Sequence, residues 1–172
     1  MIIDSMGKLV PNVRVAYPTR WHCDGQTIMK RDSQDKRIAS ILGNIEDLNF
    51  DETIDIFYEY LKSNLSLPCK VTGIEDFRWE EIYVFGPGDQ AEYDHLKKTQ
   101  PSYTDHYELL GIDHKSKSGW MLCWEDDIGA NVRRISEGKK FLLGLSELEA
   151  TDKKSKNYQL LDNYSVWFVN NR

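Results

Sequence analysis

The sequence predicts an α+β fold: a small curled antiparallel sheet, or an SH3-like partly open barrel, flanked by N-terminal and C-terminal helices. Three observations predict it. Ile54, Phe57, Tyr58, Leu61 and Leu65 recur at helical spacing behind a capping signal. Short strand-like runs at 106–112, 119–125 and 140–145 are separated by polar turns, the spacing of a small curled sheet. A closing aromatic helix sets Leu160, Leu161, Tyr164, Trp167 and Phe168 on one face.

Taken in order, residues 1–44 read as an N-terminal arm and short helix packed on the domain. Pro11 and Pro18 cut the arm into short extended pieces such as 13–17, and Tyr17 and Trp21 suggest that it docks. Asp32 or Ser33 can cap a helix through about Leu42, with Ile38, Ile41, Leu42 and Ile45 on one face and Gly43-Asn44 as its stop. Residues 45–172 read as a single α+β domain. Asn49 and Glu52 have capping-box spacing, so a helix runs from there to about Asn64, and Pro68 bars its continuation. Cys69, Val71 and Gly73 alternate against Lys70 and Thr72, which predicts a strand. The run Ile82-Tyr83-Val84-Phe85 is β-branched and aromatic and reads as a second strand.

Gly86-Pro87-Gly88 must turn, and Asp89 with Glu92 opens a short helix that stops before Pro101, a helical insertion around 86–100. A weaker strand is read at 131–135, and Asp152 to Lys156 reads as an exposed linker.

Charge is unevenly spread. Residues 1–44 carry 7 Lys+Arg against 4 Asp+Glu, residues 45–114 carry 5 against 16, and residues 115–172 carry 10 against 8, for a total of −6. An acidic middle repels nucleic acid and attracts a cation or a basic partner. No apolar run approaches the roughly 20 residues that span a bilayer, and no secretory signal is read at the N-terminus, so no membrane association and a cytoplasmic location are expected. Cys23, Cys69 and Cys123 fit neither a zinc spacing nor a disulfide framework and read as reduced thiols.

Catalytic patterns are missing. No Gly-x-Ser-x-Gly elbow occurs, His22, His95, His106 and His114 have no histidine four residues away, and Gly86-Pro87-Gly88 lacks phosphate-loop spacing. Glu80-Glu81 could be paired acids, but on a strand they would face opposite ways. Calcium suits the acid better, as a hard cation taking about 6–8 oxygen ligands. The candidate ligands are Asp89, Glu92 and Asp94 at the helix-opening turn and Glu125, Asp126 and Asp127 in a predicted turn, with no EF-hand loop. The same residues have a structural reading, as a helix cap and a turn.

From about residue 52 to 171 the chain resembles the cyanobacterial-type (CcbP-like) calcium-binding protein family. The matching residues are Tyr60-Leu61, Leu65 and Leu67-Pro68, the strand from Cys69, Tyr107-Glu108-Leu109-Leu110-Gly111, and Met121-Leu122-Cys123-Trp124-Glu125. Leu142-Leu143, Leu145, Leu148-Glu149 and the helix ending Tyr164-x-x-Trp167 complete the pattern. The resemblance implies a small non-enzymatic protein that binds calcium on an acidic surface without EF-hands. Residues 73–102 stand as an insertion relative to it, and the acids named above come from local chemistry.

The function expected is therefore non-enzymatic calcium (Ca2+) binding through surface carboxylates. The alternative is an interaction module, of immunity or adaptor type, whose acid and aromatics, among them Trp21, Trp79, Trp120 and Trp124, face a basic protein partner.

Overall fold

The computed structural model describes residues 25–43, 48–114 and 127–171, with side chains from Ser33 onward. The arm read before residue 25, the strand read at 119–125, Ile45, His22, Cys23, Trp120, Cys123, Trp124, Glu125 and Asp126 lie outside the described residues. The chain divides into two units between Ser33 and Gln34, and the fold below is that of the second.

Helix α1 (Gly25–Leu42) starts earlier than its capping signal suggested and stops at Gly43, whose φ of 70° favours glycine. Gln34 donates to Asp162 at 2.8 Å and Arg37 to Asn163 at 3.3 Å, while Ile38, Ile41 and Leu42 pack on the core. Helix α2 (Phe50–Asn64) begins at the predicted capping box. Asn49 Oδ1 accepts from the Glu52 N–H and Glu52 Oε2 accepts from the Asn49 N–H, both at 2.9 Å. Asn49→Ala is expected to cost about 1 kcal/mol and lower the thermal midpoint by roughly 2–4 °C. A calorimetric scan showing no shift would mean that the core alone fixes the helix start.

Five antiparallel strands form one sheet: β1 (Cys69–Gly73), β2 (Tyr107–Asp113), β3 (Gly129–Arg134), β4 (Lys140–Gly144) and β5 (Leu148–Ala150). Their order is β4-β3-β2-β1-β5. Strands β4 and β5 thus lie at opposite edges, yet only the 3-10 turn Leu145–Glu147 joins them. Four Cα steps reach at most about 14 Å, whereas four flat strand spacings cover roughly 19 Å. The sheet must therefore curl, helped by a register shift between Leu109 and Gly111 in β2, where a bulge bends the strand. It stays open, since β4 and β5 are not paired with each other.

Helix α5 (Lys156–Asn171) closes the core. Leu160, Leu161, Tyr164, Trp167 and Phe168 all bury, as their spacing predicted. Phe57 of α2 meets Tyr164 edge-on at 5.4 Å and Trp167 at 4.8 Å, and Phe50 stacks on Trp167 at 5.5 Å. Val71, Tyr107, Leu109, Val132 and Leu143 supply the sheet side. Among the described residues no helix is long and apolar enough to cross a membrane.

One element differs in kind from its expectation. The run read as a second strand is helix α3 (Glu81–Val84). Tyr83 and Val84 N–H both bond to the Glu80 carbonyl, and Phe85 N–H bonds to that of Glu81. The chain instead turns back on itself here, the Gly88 N–H bonding to the Ile82 carbonyl at 3.0 Å. The β-propensity of the run, which reflects the fit of a side chain to a half-buried pleated surface, has nothing to act on. Helix α4 (Gln90–Leu96) follows, capped by Asp89.

Candidate functional site

The acidic stretch is built around a carboxyl that the sequence does not distinguish from its neighbour. Glu80 is entirely buried. Its Oε1 accepts from Ser102 Oγ at 2.6 Å and Tyr93 Oη at 2.8 Å, and its Oε2 accepts from the N–H of Tyr103 at 2.9 Å and of Phe77 at 3.2 Å. Each oxygen thus takes two donors. Burial, then the bond to Glu80 and its charge, raise the Tyr93 phenol well above the usual range. Trp79 Nε1 donates to the Pro101 carbonyl at 2.7 Å, and Tyr83 stacks on Tyr93 at 5.3 Å. Glu80 thus ties α3, α4 and the turn at 101–105 into one unit. The Glu80-Glu81 pair does face opposite ways, one inward and one to water, but on a helix start instead of a strand.

Three of the expected ligands stand on this unit. Asp89, Glu92 and Asp94 are exposed, on and just before α4. Asp89 Oδ1 accepts from the Glu92 N–H at 2.9 Å, and Asp94 Oδ1 accepts from Gln90 Nε2 at 3.0 Å. Burial raises the Tyr83 phenol, and Glu92 and then Asp89 raise it further.

Asp127 lies in a different setting, at the entry to β3. It is 1% exposed. Oδ2 accepts from Ser146 Oγ at 2.7 Å and Ser146 N–H at 3.1 Å, and Oδ1 accepts from Tyr164 Oη at 2.6 Å. Tyr164 Oη in turn accepts from the Ile128 N–H at 3.2 Å. Burial pushes the Asp127 carboxyl up to about 6, against the lowering effect of these donors. The carboxyl therefore links β3, the 3-10 turn and α5. Beside it opens a cleft of about 200 Å³ lined by Ile74, Glu75, Asp76, Ser146, Glu147, Ser165 and Val169. Two of its hydroxyls are already committed, Ser146 Oγ to Asp127 and Ser165 Oγ to the Ser146 carbonyl at 2.7 Å.

Among the described residues no three His, Cys, Asp or Glu side chains come together as a metal-ligand group. Sequence reasoning found the exposed acids and missed both buried carboxyls' cages. Nothing in the spacing of residues 80, 93 and 102, or of 127, 146 and 164, marks them as partners.

No family model and no curated protein matches the chain. Two solved structures do. One, described as a calcium binding protein in the calcium-binding form, aligns with a TM-score of 0.50 at 17% identity, over 81% of this chain and 91% of that one. The other, the crystal structure of Anabaena CcbP, aligns with a TM-score of 0.48 at 19% identity, over 80% of this chain and 89% of that one. The resemblance read over residues 52–171 is thus present in the fold, as a partial one.

Proposed function

We propose that the protein binds calcium through surface carboxylates, without an EF-hand and without catalysis, as a cytoplasmic buffer or sensor. The observation that carries this reading is the net −11 of residues 45–114, with Asp89, Glu92 and Asp94 each exposed on or just before α4. The fold shared with a structure described as a calcium binding protein supports it.

The donor chemistry fits the ion. Carboxylate oxygens are the hard ligands calcium prefers, and Asp89 and Asp94 each commit Oδ1 to the bonds above. Each of Asp89, Glu92 and Asp94 would supply only one or two oxygens, since Glu92 and Asp94, two residues apart on a helix, do not face each other, and water would fill most of the shell. Asp127, the remaining candidate ligand among the described residues, already accepts from Ser146 and Tyr164 with its two oxygens. A site so open is expected to bind weakly, with a dissociation constant of roughly 10⁻⁴ M.

Calorimetric titration of chelator-treated protein tests this. Calcium is expected to give a saturable heat exceeding that of magnesium, and the triple variant Asp89→Asn, Glu92→Gln, Asp94→Asn is expected to lose most of it. Asparagine at 89 keeps the cap, so the helix is retained. If only Glu125→Gln with Asp126→Asn abolishes the heat, the ligands sit in the second group. A calcium heat no larger than that of magnesium refutes the reading.

A further inference from the structure

The unit built on Glu80 also presents an apolar surface that the fold does not use. Phe85 is 79% exposed, Ile82 54% and Val84 39%, on α3 and the residue after it. Single exposed apolar side chains are ordinary, but Ile82 and Phe85, three residues apart across one helical turn, share a side and form a patch, with Val84 exposed beside them in sequence.

The patch is held firmly. The Gly88 N–H bonds back to the Ile82 carbonyl at 3.0 Å, folding the Gly-Pro-Gly turn onto α3. A Cβ at Gly86 would come within 2.6 Å of the Ile82 carbonyl oxygen, and one at Gly88 within 2.5 Å of Tyr83 Cδ1. Both glycines are therefore needed for the close approach. Tyr83 turns inward against Trp79, at 6.2 Å, and Tyr93, so Ile82, Val84 and Phe85 are left facing out. Little side-chain or loop entropy is lost when such a surface docks.

Its charge selects the occupant. From Trp79 to Leu96 the chain has five acidic residues and no Lys or Arg. One of these, Glu80, is buried, whereas Glu81, Asp89, Glu92 and Asp94 are exposed on the same stretch as the apolar residues. Such a stretch repels a second copy of itself and an anionic lipid surface, and it steers toward cationic partners.

The geometry points to a docking surface for a basic protein segment, with Phe85 and Ile82 inserted into an apolar socket of the partner and Glu81, Asp89 and Glu92 facing its Lys or Arg. Phe85 is the expected hot spot, as the largest and most exposed apolar group in the patch.

Panning a random peptide library displayed on phage against the full chain tests the proposal. EDTA is present throughout, so the outcome does not depend on calcium binding. Enriched sequences are expected to combine apolar residues with flanking Lys or Arg. The best synthetic peptide is expected to lose about tenfold or more in affinity toward Phe85→Ser and toward Glu81→Lys, both at exposed positions. Equal thermal midpoints for the two variants and the wild type confirm that folding is unchanged. An enriched pool that is neutral or acidic, or binding unchanged by Phe85→Ser, overturns the proposal. So does self-association in sedimentation, or binding to phosphatidylserine vesicles, that Phe85→Ser abolishes.

Discussion

Glu80→Ala is expected to destabilise the protein by about 4 kcal/mol, the largest loss at any polar position, and to lower the thermal midpoint by roughly 10 °C. The mechanism is desolvation. Removing the carboxyl strands two backbone N–H groups, of Phe77 and Tyr103, and the hydroxyls of Tyr93 and Ser102. Each unsatisfied buried donor costs about 1–3 kcal/mol, less whatever water recovers in the space left behind. Glu80→Gln should be far milder, at about 1–2 kcal/mol. Its carbonyl can face the two amides, which cannot reverse, and its NH2 can face the two hydroxyls, which can turn to accept; Ser102 Oγ already has Thr104 Oγ1 at 3.0 Å as an alternative acceptor. Urea unfolding with hydrogen exchange separates the two substitutions. In the alanine variant the α4 amides and the Trp79 environment are expected to lose protection before the sheet does. Equal losses for Gln and Ala would show that charge, and not donor satisfaction, holds the unit together.

Such dependence on one side chain explains what could and could not be read in the sequence. Helix α2 was legible because its signals are local: Asn49 and Glu52 are three residues apart and its apolar stripe repeats at helical spacing. Strand β1 and helix α5 were legible for the same reason, through alternation and a one-sided apolar face. Helix α3 was misread because its residues satisfy strand propensity, while the Glu80 side chain at its start is held by residues 93 and 102–103, outside any local window. The candidate ligands followed the same rule. Asp89 and Glu92 were found through their spacing, and Asp89 does cap α4, accepting from the Glu92 N–H. The burial of Asp127 depends on residues 19 and 37 positions away, which no turn signal encodes.

That burial gives the protein a pH response opposite in sign to the one a salt-bridged carboxylate produces. Unfolded, Asp127 titrates near its ordinary value of 3.8, and in the fold burial raises it to about 6. Between these values the folded chain keeps a proton that the unfolded chain has released, so stability falls as pH rises through the window. The contribution is complete below about pH 4, is lost through about pH 6, and stays constant above. The difference between those two values corresponds to roughly 3 kcal/mol. Other carboxylates titrate over the same range, so the difference between wild type and Asp127→Asn isolates this one. Asparagine can offer its carbonyl to Ser146 and its NH2 to the Tyr164 oxygen, and it carries no proton to lose. In urea unfolding with EDTA, wild type minus Asp127→Asn is expected to decline by about 3 kcal/mol from pH 4 to pH 7 and then level off. A flat difference, or one that rises with pH, would mean that the donors from Ser146 and Tyr164 outweigh burial. The Asp127 carboxylate would then stabilise the junction of β3, the 3-10 turn and α5 when charged, instead of straining it.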